Sequence, residues 1–177
     1  VIEIKEPVFV DQGEQSIMIL PSPGLSISYT LSYKDHNLSD QYLTLNVVPE
    51  IFERELAPAR TFCLKKEAEH LLSLGFGKGA NLKNTLVFER NLPMDNELRF
   101  ENEACRHKMM DLLGDLFLAG FVRGHVIAVR SGHALNLELV RKIVMQEKPS
   151  IEPLPSSFGV MEIQKILPHR YPFLFVD

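Results

Sequence analysis

The sequence predicts an α+β fold, a sheet packed against helices, followed by a linker and the start of a second unit. Two observations carry this. Four alternating apolar and polar segments precede Pro49, and strong helical periodicity begins only after it. Strands first and helices later is the order of an α+β layer arrangement, not of alternating parallel units.

Ile2 to Val10, Ser16 to Leu20, Leu25 to Tyr33 and Tyr42 to Val48 read as strands, bounded by the turn clusters DQGE, PSPG and DHNLSD. A short helix is predicted over Glu50 to Leu56 and closed by Pro58, whose ring and missing N–H stop a helix. Thr61 falls on the next extended segment. Glu67 to Leu74 reads as helix and Leu86 to Glu89 as strand. From Glu101 to Ala119, apolar Ala104, Leu112, Leu113, Leu116 and Phe117 predict an amphipathic helix ended by Gly120. His125 to Val129 is a β-branched run, and Ser131 with Gly132 forms a turn. Leu135, Leu139, Val140 and Ile143 then predict a last helix from Ala134 to Met145.

Composition bounds the function. A chain of 177 residues with 45% hydrophobic content is long enough for one ordinary core. A net charge of −4 argues against nucleic acid as a main partner, because phosphate binding leaves a basic patch. Two cysteines are too few for a disulfide framework, which makes a reducing, cytoplasmic setting the expectation. Asp115, Arg123 and His125 interrupt the only apolar region approaching the about 18 residues of a spanning helix, so no integral membrane segment or signal peptide is expected.

His107, Asp111 and Asp115 follow one another at four-residue spacing within RHKMMDLLGD, which places them on one stripe of the predicted helix. An imidazole and a carboxylate one turn apart can hold a single cation, and zinc accepts both ligand types. The plain alternative is a surface helix whose His and acids face water. His133 lies at a strand-to-helix junction, a position that holds a side chain rigidly while leaving its tip exposed.

Three blocks occur in order: ARTF at Ala59 to Phe62, LRFENEACRHKMMDLLGDLFLAG at Leu98 to Gly120, and RSGHALN at Arg130 to Asn136. Through them the chain from Ile4 to about Val144 resembles the second half of the UDP-3-O-acyl-N-acetylglucosamine deacetylases, zinc amidohydrolases of lipid A synthesis. The resemblance implies that residues 1–144 form the second domain of that fold and that zinc is the cofactor. His107 and Asp111 would be two of its three protein ligands. It implies a catalytic role for His133, support from Asp115, a share in holding the oxyanion for Thr61, and a nucleotide diphosphate contact for Lys108. Tyr33 occupies the place of an aromatic facing the uracil ring, with core packing as the alternative, and Phe62 joins the candidate substrate contacts. The third ligand, a histidine, and the general base, a glutamate, are expected upstream of Val1.

In the insert from Leu64 to Phe88, Gly75, Gly77 and Gly79 superficially suggest a phosphate-cradling loop. They follow a helix and precede a strand, the reverse of the required order, so a simple connection is expected. By resemblance the insert lines a passage for the substrate's acyl chain, with Ala68, Leu72 and Val87 as wall or core residues. Lys65, Lys66, Lys78 and Lys83 read as a solvated face. Gln15 stands roughly where a basic nucleotide contact is expected.

Residues 145–158 read as a linker, with Pro149, Pro153 and Pro155 among serines. LPHRYPFLFVD then resembles the N-terminal signature of the 3-hydroxyacyl-acyl-carrier-protein dehydratases, so residues 159–177 are expected to begin a hot-dog fold. That resemblance implies that His169 abstracts the proton α to the thioester carbonyl, with its acidic partner beyond Asp177. The two resemblances together imply a bifunctional protein. Its partners would be a UDP-linked acylated glucosamine and acyl carrier protein, with homo-oligomerisation through the dehydratase part. Two other readings stay open: His107, Asp111 and His133 as a two-histidine, one-carboxylate site of a different metal enzyme, and a non-catalytic binding domain.

Overall fold

A computed structural model describes residues 1–33 and 38–146. Residues 34–37 and 147–177, which hold most of the expected 145–158 linker and the dehydratase-like segment with His169, lie outside the described residues, so the linker and dehydratase readings stay expectations. The unit spanning Val1–Gln146 is an α+β layer structure, as its pattern predicts.

Its main sheet is built around β9 (Val122–Val129). On one side β9 pairs antiparallel with β3 (Gln15–Leu20), and on the other parallel with β4 (Leu25–Leu31). β2 (Val8–Gln12) extends the sheet beyond β3, and β5 (Gln41–Asn46) beyond β4. The single strand expected over Ile2 to Val10 is two strands. β1 (Ile2–Glu3) pairs parallel with Val122 and Arg123 of β9, whereas β2 pairs with β3. Pro7 lies at the break, where it has no N–H to donate to a ladder.

β9 begins earlier than its β-branched run suggests because Gly124 belongs to it. A Cβ there would stand 2.7 Å from the Ile19 side chain, so glycine lets β3 lay that side chain across the central strand. Burial alternates along β9: Val122, Gly124, Val126 and Ala128 face inward.

The helices cover that inner face. α1 (Pro49–Ile51) runs into a wider turn over Phe52–Leu56, α3 spans Glu103–Leu116, and α4 spans His133–Gln146. α3 ends three residues before the predicted Ala119, in a tight turn Phe117–Ala119, and Gly120 then takes φ 96°. Ile17, Ile19, Ile27 and Tyr29 from the sheet share one core with Met109, Leu112 and Leu116 from α3 and Leu139 from α4. No helix among the described residues is long and apolar enough to cross a membrane.

The insert forms its own small sheet. β6 (Thr61–Leu64) and β7 (Thr85–Glu89) run parallel, joined through α2 (Lys65–Ser73), and β8 (Leu92–Pro93) pairs back on β7. A local parallel unit therefore sits inside a fold expected to lack one, because this connection is long enough to carry a helix across. Glu67 Oε2 accepts the Leu64 N–H at 2.8 Å at the start of α2. At its end the N–H groups of Phe76 and Gly75 reach back to the carbonyls of Leu71 and Leu72, with Gly75 at φ 80°. That paired closure requires a left-handed residue, so Gly75 is a helix stop and not part of an anion cradle.

Candidate metal and acid–base site

α3 presents His107, Asp111 and Asp115 along one stripe, and the stripe divides into two pairs. His107 Nε2 and Asp111 Oδ1 converge to 3.4 Å. Two ligands each about 2.0–2.1 Å from a tetrahedral cation lie about 3.4 Å apart, so the spacing suits one ion between them better than a direct hydrogen bond. The donor set, one imidazole nitrogen and one carboxylate oxygen, fits zinc chemistry. Among the described residues no group of three or more candidate ligands gathers, and His107 with Asp111 stands as a candidate pair.

The surroundings of the imidazole favour its neutral form. Burial lowers the His107 pKa below its ordinary value, opposed by the Asp111 charge and assisted by Lys108 and, more weakly, His133. A neutral imidazole is the form a metal binds. Its Nδ1 is buried and lacks a well-formed hydrogen bond among the described residues. The Phe62 ring stands edge-on to it, centroids 6.2 Å apart at 84°. Phe62 in turn meets Tyr33 and Phe88 edge-on, at 6.3 and 6.0 Å. Both aromatic substrate candidates thus belong to a ring cluster that backs His107, as edge-to-face geometry favours.

The second pair is Asp115 with His133. Its Nδ1 lies 2.8 Å from Asp115 Oδ2 and 3.1 Å from Oδ1. A carboxylate only accepts, so Nδ1 carries the proton, and Nε2 makes no hydrogen bond among the described residues. His133 is the first residue of α4, at the junction its sequence position suggests. Three features hold that junction. Arg130 turns the chain with a left-handed φ of 56°, rare for a residue with a Cβ, and its N–H bonds the Thr30 carbonyl at 2.9 Å. The buried Tyr29 hydroxyl donates to the Ser131 carbonyl. Asn136, one turn into α4, donates through Nδ2 to Asp115 Oδ2 at 2.8 Å.

The remaining candidates are placed as follows. Lys108 Nζ donates to Asp111 Oδ2 at 3.1 Å, so its charge is engaged with the candidate metal ligand. Thr61 is exposed at the head of β6. Gln15 opens β3, beside the Gly13 turn. Leu72 is 63% exposed, which rules out a core role for it, while Ala68 and Val87 are partly covered. An apolar recess of about 420 Å³, lined by residues that include Leu25, Phe52, Leu113, Phe117 and Phe121, contains none of the candidate site residues. His107, Asp111 and His133 do not gather into one metal-holding group among the described residues.

Sequence reasoning missed Arg60 and Glu103. Buried Arg60 donates from Nε to Glu103 Oε1 at 2.8 Å and from Nη2 to Oε2 at 3.0 Å, and reaches Asn96 Oδ1 at 2.9 Å and the Glu97 carbonyl. Glu103 also takes the backbone N–H groups of Arg60 and Arg99. Both residues lie inside the matching blocks: Arg60 is a single charge beside Thr61, and Glu103 is one of several charges ahead of His107. Asn136 was readable in principle, since it stands one helical turn after His133.

Residues 1–145 match the family described as LpxC, UDP-3-O-acyl N-acetylglycosamine deacetylase. Among individual proteins, the chain is 40% identical over 147 residues to a UDP-3-O-acyl-N-acetylglucosamine deacetylase of Aquifex aeolicus, covering 82% of this chain and 51% of that protein. It is 37% identical over 143 residues to one of Anaeromyxobacter dehalogenans, covering 80% of this chain and 46% of the relative. A bifunctional enzyme LpxC/FabZ of Chlorobaculum tepidum is 32% identical over 212 aligned positions, covering 98% of this chain and 45% of that protein. The chain spans about half the length of the relatives it matches.

Proposed function

The chain belongs to the LpxC family of UDP-3-O-acyl N-acetylglycosamine deacetylases, and on that footing we propose that it forms half of a zinc-dependent amidohydrolase. The enzyme would remove acetate from a UDP-linked, 3-O-acylated N-acetylglucosamine in lipid A biosynthesis, in the cytoplasm. The observation that carries the reading is the spacing on α3, where His107 Nε2 and Asp111 Oδ1 converge to 3.4 Å and the Asp115–His133 pair follows one turn on.

His107 and Asp111 would hold the metal, and the family resemblance would have the third ligand and the general base come from another part of the full polypeptide. When bound, zinc supplies activation of water and polarisation of the amide carbonyl. The protein's own groups handle the charge and protons that follow. His133, with its Nδ1 proton directed to Asp115, presents Nε2 outward. In its protonated form it donates to the oxygen on which negative charge develops, then gives that proton to the departing amine as the C–N bond breaks. The Thr61 hydroxyl adds a second donor to the oxyanion. Lys108, held 3.1 Å from Asp111 Oδ2, would turn from that carboxylate to contact the diphosphate; from the ring cluster that backs His107, Tyr33 would face the uracil ring and Phe62 would add a substrate contact, and the insert would follow the acyl chain.

A fusion is the second part of the proposal, supported by LPHRYPFLFVD and by the Chlorobaculum relative, whose name joins LpxC and FabZ. His169 would serve the dehydratase as the base that takes the α proton from a 3-hydroxyacyl thioester on acyl carrier protein, and that part would hold the protein as a homo-oligomer.

Assay of the full polypeptide tests both. His107→Ala and Asp111→Ala should abolish deacetylation and lower bound zinc measured by elemental analysis, and a chelator should do the same reversibly. His133→Ala should keep its zinc and lose about 10²–10⁴-fold in kcat. Undiminished deacetylation by His107→Ala would remove the metal assignment. Loss of dehydration without loss of deacetylation in His169→Ala would support the fusion, and unchanged dehydration would remove it.

A further inference from the structure

We infer that Asn136 is a positioning residue, which fixes the rotation of the Asp115 carboxylate and through it the tautomer and aim of His133. Exposure falls inward along the three groups: the His133 side chain is 64% exposed, that of Asp115 14%, and Asn136 1%. One carboxylate oxygen, Asp115 Oδ2, receives both neighbours at 2.8 Å, the His133 Nδ1 from the solvent side and the Asn136 Nδ2 from the interior. With one oxygen held from two directions, the carboxylate has one rotation that satisfies both.

The scaffold makes this a rigid arrangement. Asn136 and His133 share the first turn of α4, where the Asn136 N–H bonds the Gly132 carbonyl at 3.0 Å. Asp115 comes from the other helix, α3, so the Asn136 bond also sets the distance between the two helices at the point where His133 emerges. The orientation of the amide follows from chemistry, since a carboxylate cannot accept from a carbonyl oxygen and the NH2 must face Asp115.

That orientation has a cost which identifies its purpose. Asn136 Oδ1 is left buried with no hydrogen-bond partner among the described residues, and its helix neighbours Leu135, Leu139 and Val140 are buried apolar residues. A leucine at this position removes the stranded oxygen and matches its surroundings. An asparagine is therefore disfavoured for packing, and its one side-chain hydrogen bond among the described residues is the one to Asp115.

The kinetic part of this inference rests on the deacetylase reading and the spectroscopic part does not. The full polypeptide is compared as wild type, Asn136→Leu and Asn136→Gln. Histidine ring nitrogens are followed by ¹⁵N spectroscopy, folding by thermal melting, and deacetylation by steady-state kinetics. Asn136→Leu should melt at the same or a higher temperature, show a reduced Nδ1–H fraction at His133, and lose about 10- to 100-fold in kcat with little change in KM. Asn136→Gln, which keeps the donor, should recover part of both. A leucine variant with an unchanged His133 spectrum and unchanged kcat overturns the assignment. So does one whose activity falls only in step with its folded fraction. If the tautomer shifts while the wild type shows no deacetylation, the positioning role stands and the deacetylase reading fails.

Discussion

Arg60 and Glu103 form an enclosed ion pair, Nε to Oε1 at 2.8 Å, with side-chain exposures of 6% and 0%. Arg60 immediately precedes Thr61 at the head of β6, and Glu103 lies one turn before His107 on α3. The pair therefore ties the strand that presents Thr61 to the helix that presents His107. Removing one partner strands the other charge in the interior. Arg60→Ala and Glu103→Ala should each destabilise the protein by about 3–5 kcal/mol in urea unfolding. The double variant Arg60→Met, Glu103→Leu should lose much less than the sum. Additive losses would show that the charges act separately.

The same carboxylate predicts an acid limb. Burial works to raise the Glu103 pKa, but the Arg60 side chain and the N–H groups of Arg99 and Arg60 outweigh it and hold it below its ordinary 4.5. A carboxyl with a depressed folded-state pKa contributes its stability in full above the unfolded value and loses it as the pH falls through the folded one. The stability gap between wild type and Glu103→Gln should therefore be wide at about pH 7 and close as the pH is taken well below 4.5. A gap independent of pH would contradict this, with urea titrations at several pH values as the measurement.

Gly124 predicts a steric penalty at the centre of the sheet. An added Cβ would lie 2.7 Å from Ile19 Cδ1 and Cγ1 and 3.0 Å from the Leu20 carbonyl oxygen. Gly124→Ala should cost about 1–3 kcal/mol through this overpacking. Ile19→Val, which trims the side chain toward the clash, should restore part of the loss in the double variant. Thermal melts of the four proteins give the coupling directly, and an undamaged Gly124→Ala would argue against the register of β3 on β9.

The two thiols should differ in reactivity. Burial pushes the Cys105 thiol up to about 12, and burial together with the Glu67 charge raises that of the half-exposed Cys63. Only the thiolate attacks an alkylating reagent. Iodoacetamide at about pH 8 should label Cys63 slowly and leave Cys105 untouched until denaturant is added, as peptide mass spectrometry would show. Equal labelling of both in the folded protein would contradict the packing of α3 against β4.

The layer order and the candidate residues on α3 were legible because both rest on local periodicity. His107, Asp111 and Asp115 share a stripe by helical geometry alone, and His133 falls at a junction fixed by a turn and a Gly. What the sequence withheld were contacts made across elements. Nothing near Phe62 announces that it backs His107, since the contact joins β6 to α3 over forty-five positions. Lys108 looks available for an anion until the helix brings it to Asp111. The division of Ile2 to Val10 at Pro7 was a local signal overridden by the alternation on either side of it. The partner of β1 is a strand far along the chain.

Tyr29 has a practical consequence. Its ring is enclosed by the sheet and its hydroxyl is tied to the Ser131 carbonyl, two residues before His133. Burial displaces its ionisation far above the ordinary value of 10.0. The chain has four tyrosines and no tryptophan, so ultraviolet absorbance reads the phenols without a competing indole. In an alkaline difference spectrum the Tyr29 phenolate should be the late component, emerging only when the loop ahead of α4 lifts from the sheet. The protein thus carries an intrinsic optical gauge of whether the segment that bears His133 is seated.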